Sequence, residues 1–230
     1  MLATHRPSQV VGGEKKKLPV AQPVLESVAM TSSPESLTTV AAPTPELWQS
    51  VFEQALPYDA FLEKHATPDQ RDRWNAFRGK VVLTDEQKEL LGSFTRRMPV
   101  VVLAGAWCGD CVNQCPIFEH FAAACPNLDV RYLDRDARPD VATLLKVCGG
   151  SRVPVVQFLS EDYHPVVFYG DKTLAAYRAV ASAQLGPSCP TGLVHADDSI
   201  AAVVADWLDE FERVQLILRL SGRLRQLHGD

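Results

Sequence analysis

The sequence has no apolar run near the roughly 18 residues that a membrane-spanning helix needs, so no membrane partner is expected. It has no excess of positive charge. The 23 Lys and Arg against 28 Asp and Glu leave a net charge of -5 and a pI near 5.7. A basic face for nucleic acid or an anionic surface is therefore not expected. The opening MLATHRPSQVVGGEKKKLPV carries basic residues with no apolar stretch after them, so a secretory leader is not expected. Cysteine is scarce, with 6 in 230 residues, which is too few for a disulfide scaffold. Clustered cysteines in an intracellular chain more often serve redox chemistry or metal, and a cytoplasmic location is expected. No internal repeat, phosphate-binding glycine loop, G-x-G-x-x-G after a strand or Ser/His/Asp pattern is present. What is there is 46% hydrophobic and 22% charged, ordinary for a globular chain. The length allows one domain with extensions, or two small ones.

Residues 1–45 contain six prolines, the Gly12-Gly13 pair and the Lys15-Lys16-Lys17 run. None of the four Trp, five Tyr or nine Phe lies among them. Such a segment buries too little apolar surface to offset chain entropy, so 1–45 reads as a disordered tail and the lysine run as a solvated stretch. Deleting the tail is expected to move the thermal midpoint by less than about 2 °C, as under roughly 1 kcal/mol should be lost. A drop of ten degrees by circular dichroism would mean that it docks.

Residues 46–97 read as a helical extension packed on the rest. Leu47, Trp48, Val51, Phe52 and Leu56 recur at three- and four-residue spacing, and Pro57 stops that helix. Short helices follow with Phe61 and Leu62, and from Thr67-Pro68 with Trp74 and Phe77. Thr84 and Gln87 form a capping-box pattern before Leu90, Leu91 and Phe94. Trp48 and Trp74 are expected in the core. Residues 98–185 alternate strands and helices. Pro99–Ala104 is rich in β-branched residues and too short for a buried helix, so it reads as a central strand. Residues 110–124 read as helix interrupted at Pro116, 130–133 as strand, and Pro139 to Gly149-Gly150 as helix. Residues 153–159 and 166–169 read as a hairpin, and 171–185 as helix. That order implies an α/β sandwich whose mixed sheet has a parallel part and an antiparallel hairpin. Residues 186–230 read as a loop and a long helix with one wide apolar stripe through Trp207, Phe211 and Leu218, broken at Ser221-Gly222. The stripe either covers exposed core or offers a partner surface.

The segment carrying chemistry is Trp107-Cys108-Gly109-Asp110-Cys111, between a buried strand and a helix start. A thiolate is the nucleophile, and a free thiol near pKa 8.5 is mostly protonated at neutral pH. Unpaired N–H groups and the positive end of the helix dipole favour the anion at Cys108. Cys111 lies within one helical turn, close enough to close a disulfide and to resolve a mixed disulfide. Asp110 can act in two ways. Its charge can oppose the Cys108 thiolate, which is the favoured expectation, or it can accept the Cys111 proton.

Five spaced features together resemble the thioredoxin superfamily over residues 98–185. They are the strand entering WCxxC, Pro116 five residues after Cys111, Leu133-Asp134-Arg135-Asp136, Val153-Pro154, and Gly170. WCGDC with Val112-Asn113, LDRDARPD and GGSRVPVV is similar to a bacterial subgroup of thioredoxin-like proteins. The resemblance implies a thioredoxin-like three-layer sandwich with added N- and C-terminal helices, acting in cell redox homeostasis. It implies Cys108 as exposed nucleophile and Cys111 as buried resolving thiol, with no cofactor beyond their redox-active disulfide. Trp107 and Gly109 would flank the substrate, and Pro154, after a cis bond, would face the cysteines. The Val153 backbone would pair with an extended substrate. The partners implied are disulfide-containing proteins and an unidentified electron donor, a thioredoxin reductase being one candidate. Two departures stand out. The family's buried aspartate and its lysine partner are here Val102 and Tyr132, and Asp110 stands where proline is common.

Cys115 lies four residues after Cys111 on one helical face and reads as a small buried apolar residue, with a third redox thiol or a ligand as the other reading. Cys125 and Cys148, at helix ends, read as structural or inert, Cys189 as a candidate exposed thiol, and His120 and His195 as satisfied or surface histidines. Three functions remain open: a thiol–disulfide oxidoreductase acting mainly as a reductase, a thioredoxin-fold binding or scaffold protein, and a metal protein using Cys108, Cys111, Cys115 and either Cys189 or His195.

Overall fold

The run of β-branched residues at Val100–Val102 ends up fully enclosed. Strand β1 (Met98–Ala104) is buried at every position. In the computed structural model, which describes residues 43–185 and 199–230, β1 lies between β2 (Leu128–Asp134), parallel to it, and β3 (Val155–Leu159), antiparallel. β4 (Pro165–Gly170) adds antiparallel to β3, giving the order β2-β1-β3-β4. This is the α/β thioredoxin-like fold, with the parallel pair and the hairpin that the sequence pattern implied. Residues 1–42 of the tail, with its lysine run, and the loop 186–198, with Cys189 and His195, lie outside the described residues.

Cross-strand partners share a face of a sheet. Tyr132, Val102, Val156 and Tyr169 form one row across the four strands. That face is covered by α6 (Cys115–Ala124) and α9 (Ile200–Leu220), whose Phe118, Phe121, Trp207 and Phe211 pack ring against ring with Phe158 and Tyr169. The other face carries Arg131, whose guanidinium lies 4.4 Å over the Phe52 ring of α1 (Pro45–Gln54). Most of the α9 stripe is therefore core cover, while Leu216, Ile217 and Leu220 remain exposed.

The extension comprises α1, α2 (Tyr58–His65), α3 (Pro68–Arg78) and α4 (Asp85–Gly92). Thr67 and Thr84 each make a full capping box, with Gln70 and Gln87. Trp48 and Trp74 are buried, as expected. The extension does more than cover the sheet. Leu56 exchanges two backbone hydrogen bonds with Tyr132 (2.9 and 2.7 Å), occupying part of the β2 edge. An edge strand left open would present its N–H and C=O groups to other chains.

The structure moves several boundaries. Thr44 caps α1 and Pro45 is its first residue, so helix begins inside the segment read as tail. The helix expected over 110–124 is two, α5 (Gly109–Val112) and α6, because Pro116 at the start of α6 cannot continue the preceding hydrogen-bond ladder. The helix α7 (Pro139–Leu144) stops before Gly149-Gly150. Cys148 and Gly149, at φ 49° and 74°, instead turn the chain so that Val147 pairs with Gly150. Cys148 is exposed there rather than structural. After α8 (Leu174–Leu185) and α9, a short helix α10 (Gly222–His228) follows Ser221, where the stripe was expected to end. Among the described residues no helix is long and apolar enough to cross a membrane.

Candidate redox site

Cys108 caps the start of α5, directly after the strand–loop segment 98–107, and is partly exposed. Cys111 and Cys115 are enclosed. The Cys108 thiol donates to the carbonyl of Val153 at 3.5 Å, and the Val153–Pro154 bond is cis. Val153 and Pro154 are buried. Four of the expected site residues, Cys108, Cys111, Val153 and Pro154, therefore come together. Gly109 is exposed beside them, and Asp110 follows it.

Trp107, 45% exposed, leans over Gly105, where an added Cβ would meet its ring at 2.7 Å. The Arg135 guanidinium lies 4.6 Å above that ring, a cation–π contact. Arg135 also donates to the carbonyl of Ser151 at 3.2 Å, so the segment after β2 is tied to the loop before Val153.

Both thiols are pushed up. For Cys108 the first cause is its hydrogen bond with the Cys111 sulfur, then burial and the Cys111 charge, opposed by the backbone N–H groups of Cys111 and Asp110. For Cys111 burial is the first cause, with a hydrogen bond to Cys115 adding to it. Two sulfurs in contact titrate as a pair and do not both ionise. The backbone donors favour a single negative charge on Cys108, while the enclosure of Cys111 disfavours one there.

Asp110 is not the free charge the sequence suggested. Lys172 donates to its carboxylate and also lies 3.7 Å from Asp171. Lys172 stands in the turn after β4 and carries no sequence signal that would single it out. Its cation offsets the repulsion expected between Asp110 and a Cys108 thiolate, and it engages the group otherwise able to serve Cys111. Burial would raise the buried Asp171 carboxyl, but the Tyr177 hydroxyl, a backbone N–H, Lys172 and Arg152 together bring it below the usual range. Beside the Asp110–Lys172 pair a cleft of about 310 Å³ opens between Phe77, Val180 and Val203.

This pairing gives a two-sided expectation for the pH profile of Cys108 alkylation. Lys172→Met strips Asp110 of its partner and should move the profile to higher pH. Asp110→Asn removes the carboxylate nearest Cys108 and leaves the lysine cation opposed only by Asp171, so it should move the profile to lower pH. Each shift should be a few tenths of a unit and shrink in 1 M salt, because the pair is part-exposed. Shifts of the same sign in both variants would refute the compensation.

The interior at the departed aspartate–lysine positions is filled differently. Val102 and Tyr132 are fully buried. The Tyr132 hydroxyl donates to Glu119 at 2.9 Å and lies 3.1 Å from the carbonyl of Cys115. Burial pushes the Glu119 carboxyl up. Glu119 escaped the sequence reading because an acidic residue on a helix normally faces solvent. Two further supports also escaped it. The Trp74 indole donates to the carbonyl of Ala106 at 2.9 Å, one residue before Trp107. The Trp207 indole donates to Gln114 at 3.1 Å. Cys125 is buried at the end of α6, and the His120 ring nitrogen is satisfied by the carbonyl of Arg78 at 3.0 Å. Among the described residues no group of three or more His, Cys, Asp or Glu is arranged to hold a metal ion.

A family model described as thioredoxin matches residues 55–184. No curated protein shows a significant match. A crystal structure of a protein of unknown function from Pseudomonas aeruginosa is similar at TM-score 0.52 and 20% identity, covering 71% of this chain and 96% of that one. An HIV epitope-scaffold is similar at TM-score 0.53 and 20% identity, covering 71% and 97%. At that identity both likenesses concern the fold alone.

Proposed function

This chain belongs to the thioredoxin family, and from that premise we propose that it is a thiol–disulfide oxidoreductase, mainly a reductase of protein disulfides. The observation that carries the reading is the unequal pair of thiols. Cys108 is reachable at a helix start against the Val153 carbonyl, and Cys111 is enclosed one turn on. Cys108 as thiolate attacks a substrate disulfide, forming a mixed disulfide and releasing one substrate thiolate, which takes up a proton. Cys111 then gives up its proton and attacks the Cys108 sulfur. A Cys108–Cys111 disulfide forms and the second substrate thiol leaves. Two electrons pass to the substrate, and an external dithiol donor must return them, a thioredoxin reductase being one candidate. Such a cycle suits a reducing compartment such as the cytoplasm. Trp107 and the backbone of Val153 flank the position where an extended substrate segment would lie.

Turbidity from insulin reduction by dithiothreitol tests the proposal. The full chain at micromolar concentration should shorten the lag severalfold. A lag equal to that of dithiothreitol alone would favour the second reading, a thioredoxin-fold binding protein, for which the loss of the buried charged pair at Val102 and Tyr132 speaks. A metal content near one ion per purified chain would favour the third, whose further ligands, Cys189 or His195, lie outside the described residues.

A further inference from the structure

We infer that Gln114 is a positioning residue for the Cys108 thiolate, acting through the Asp110–Cys111 peptide and held in place by Trp207 of the appended helix α9. The inference rests on the reading of Cys108 as nucleophile. Gln114 is only 2% exposed and lies in the break between α5 and α6. An indole N–H can only donate, so its bond to the Gln114 oxygen sets which way the carboxamide faces. The amide nitrogen is then directed to two carbonyls, those of Asp110 at 3.2 Å and Asp171 at 3.1 Å. The polar ends of this buried carboxamide are thus all engaged, by one group a helical turn away and by two others distant in sequence.

The carbonyl of Asp110 and the N–H of Cys111 are the two ends of one peptide unit. That N–H is one of the two backbone donors that favour negative charge on the Cys108 sulfur. A peptide whose carbonyl accepts a hydrogen bond is polarised into a better donor at its nitrogen. Gln114 therefore both orients this peptide and strengthens its pull on the thiolate. Its second bond holds the turn at Asp171 and Lys172, whose lysine pairs with the Asp110 side chain. Other titratable or charged groups surround the turn. Cys111 and Cys115 lie on the helices, Asp110 is bonded to Lys172, and Asp171 and Tyr177 follow β4. Arg152 precedes β3, and Arg135 lies over Trp107. Replacing Gln114 by an apolar residue of similar size leaves all of these in the chain.

The test is the pH profile of Cys108 alkylation by iodoacetamide, read by peptide mass spectrometry on the reduced full-length protein. Gln114→Leu should move the profile up by about 0.5 unit, roughly a threefold slower reaction near pH 7. Trp207→Phe keeps an aromatic ring and deletes the donor, and it should shift the profile the same way by a smaller amount. Val214→Ala, elsewhere in the buried face of α9, should lower the thermal midpoint and leave the profile alone. Should Gln114→Leu fail to fold, Trp207→Phe against Val214→Ala decides. Profiles that superimpose on the parent would overturn the inference. So would a shift in Val214→Ala equal to the others, which would make the effect one of general loosening. A parent chain unable to speed insulin reduction sinks the oxidoreductase reading instead, and is told apart because the alkylation profile needs no turnover.

Discussion

Serine at position 108 is expected to reduce insulin-disulfide turnover to the rate of dithiothreitol alone, because no other thiol of the motif is both reachable and placed at a helix start. Cys111→Ser should behave differently. The first attack still occurs, but the intramolecular resolving thiol is gone, and the mixed disulfide on Cys108 should persist. Resolution within a folded site has an effective concentration far above that of external thiols, so its lifetime should lengthen by at least about 100-fold. Non-reducing mass spectrometry after mixing with a disulfide peptide checks both results. Cys108→Ser protein that still turns over insulin at the parent rate would overturn the assignment. A Cys111→Ser adduct that resolves at the parent rate would transfer the resolving role to Cys115, whose thiol hydrogen-bonds that of Cys111.

A single methyl group at position 170 should cost stability first and function with it. A Cβ on Gly170 would sit 2.5 Å from the carbonyl oxygen of Pro154 and 3.0 Å from the Cα of Val155. Both obstacles are backbone, so no side chain can swing aside. Gly170→Ala must push β4 away from the Pro154 segment, or push that segment toward Cys108. Overpacking of this kind costs about 1–3 kcal/mol. For a chain of this size that is a midpoint lower by roughly 6 °C. Insulin reduction at a temperature where the variant is still folded should fall as well, since Val153 and Pro154 border the Cys108 sulfur. A midpoint within 2 °C of the parent would mean the crowding is relieved elsewhere.

The parts of this molecule that could be read from sequence are those in which several neighbouring residues repeat one physical signal. Strand β1 announces itself through four consecutive β-branched or aliphatic residues, Val100–Leu103, and α9 through its spaced aromatics. The redox motif is read from two cysteines one turn apart. The supports of the site carry no such local pattern. Lys172 meets Asp110 across 62 residues, and Trp207 meets Gln114 across 93. Each is a single polar contact, and nothing in either local sequence marks the partner. One signal was available. Cys111, Gln114, Cys115 and Phe118 follow the three- and four-residue spacing of a buried face, and Gln114 is the polar member of that stripe. A polar residue at a core position needs partners of its own, which makes it a candidate for a network. The same reasoning applies to Glu119, whose partner Tyr132 is legible only as the residue replacing a lysine.

The reach of the Trp207–Gln114 bond also has a consequence in time. A ribosome adds about 5 to 20 residues per second, so 93 residues separate the two partners by roughly 5 to 20 s of synthesis. By the last part of that interval β1 to β4 and the cysteine turn have all been made, with the carboxamide of Gln114 still lacking its indole donor. Trp74, by contrast, precedes Ala106 by 32 residues and is waiting when the loop arrives. The site is thus buttressed first from its N-terminal side and last from its C-terminal side. A nascent chain stalled short of α9 would carry both thiols on an unfinished scaffold, open to the wrong disulfide partners. Its maturation follows the order in which Trp74 and Trp207 are made.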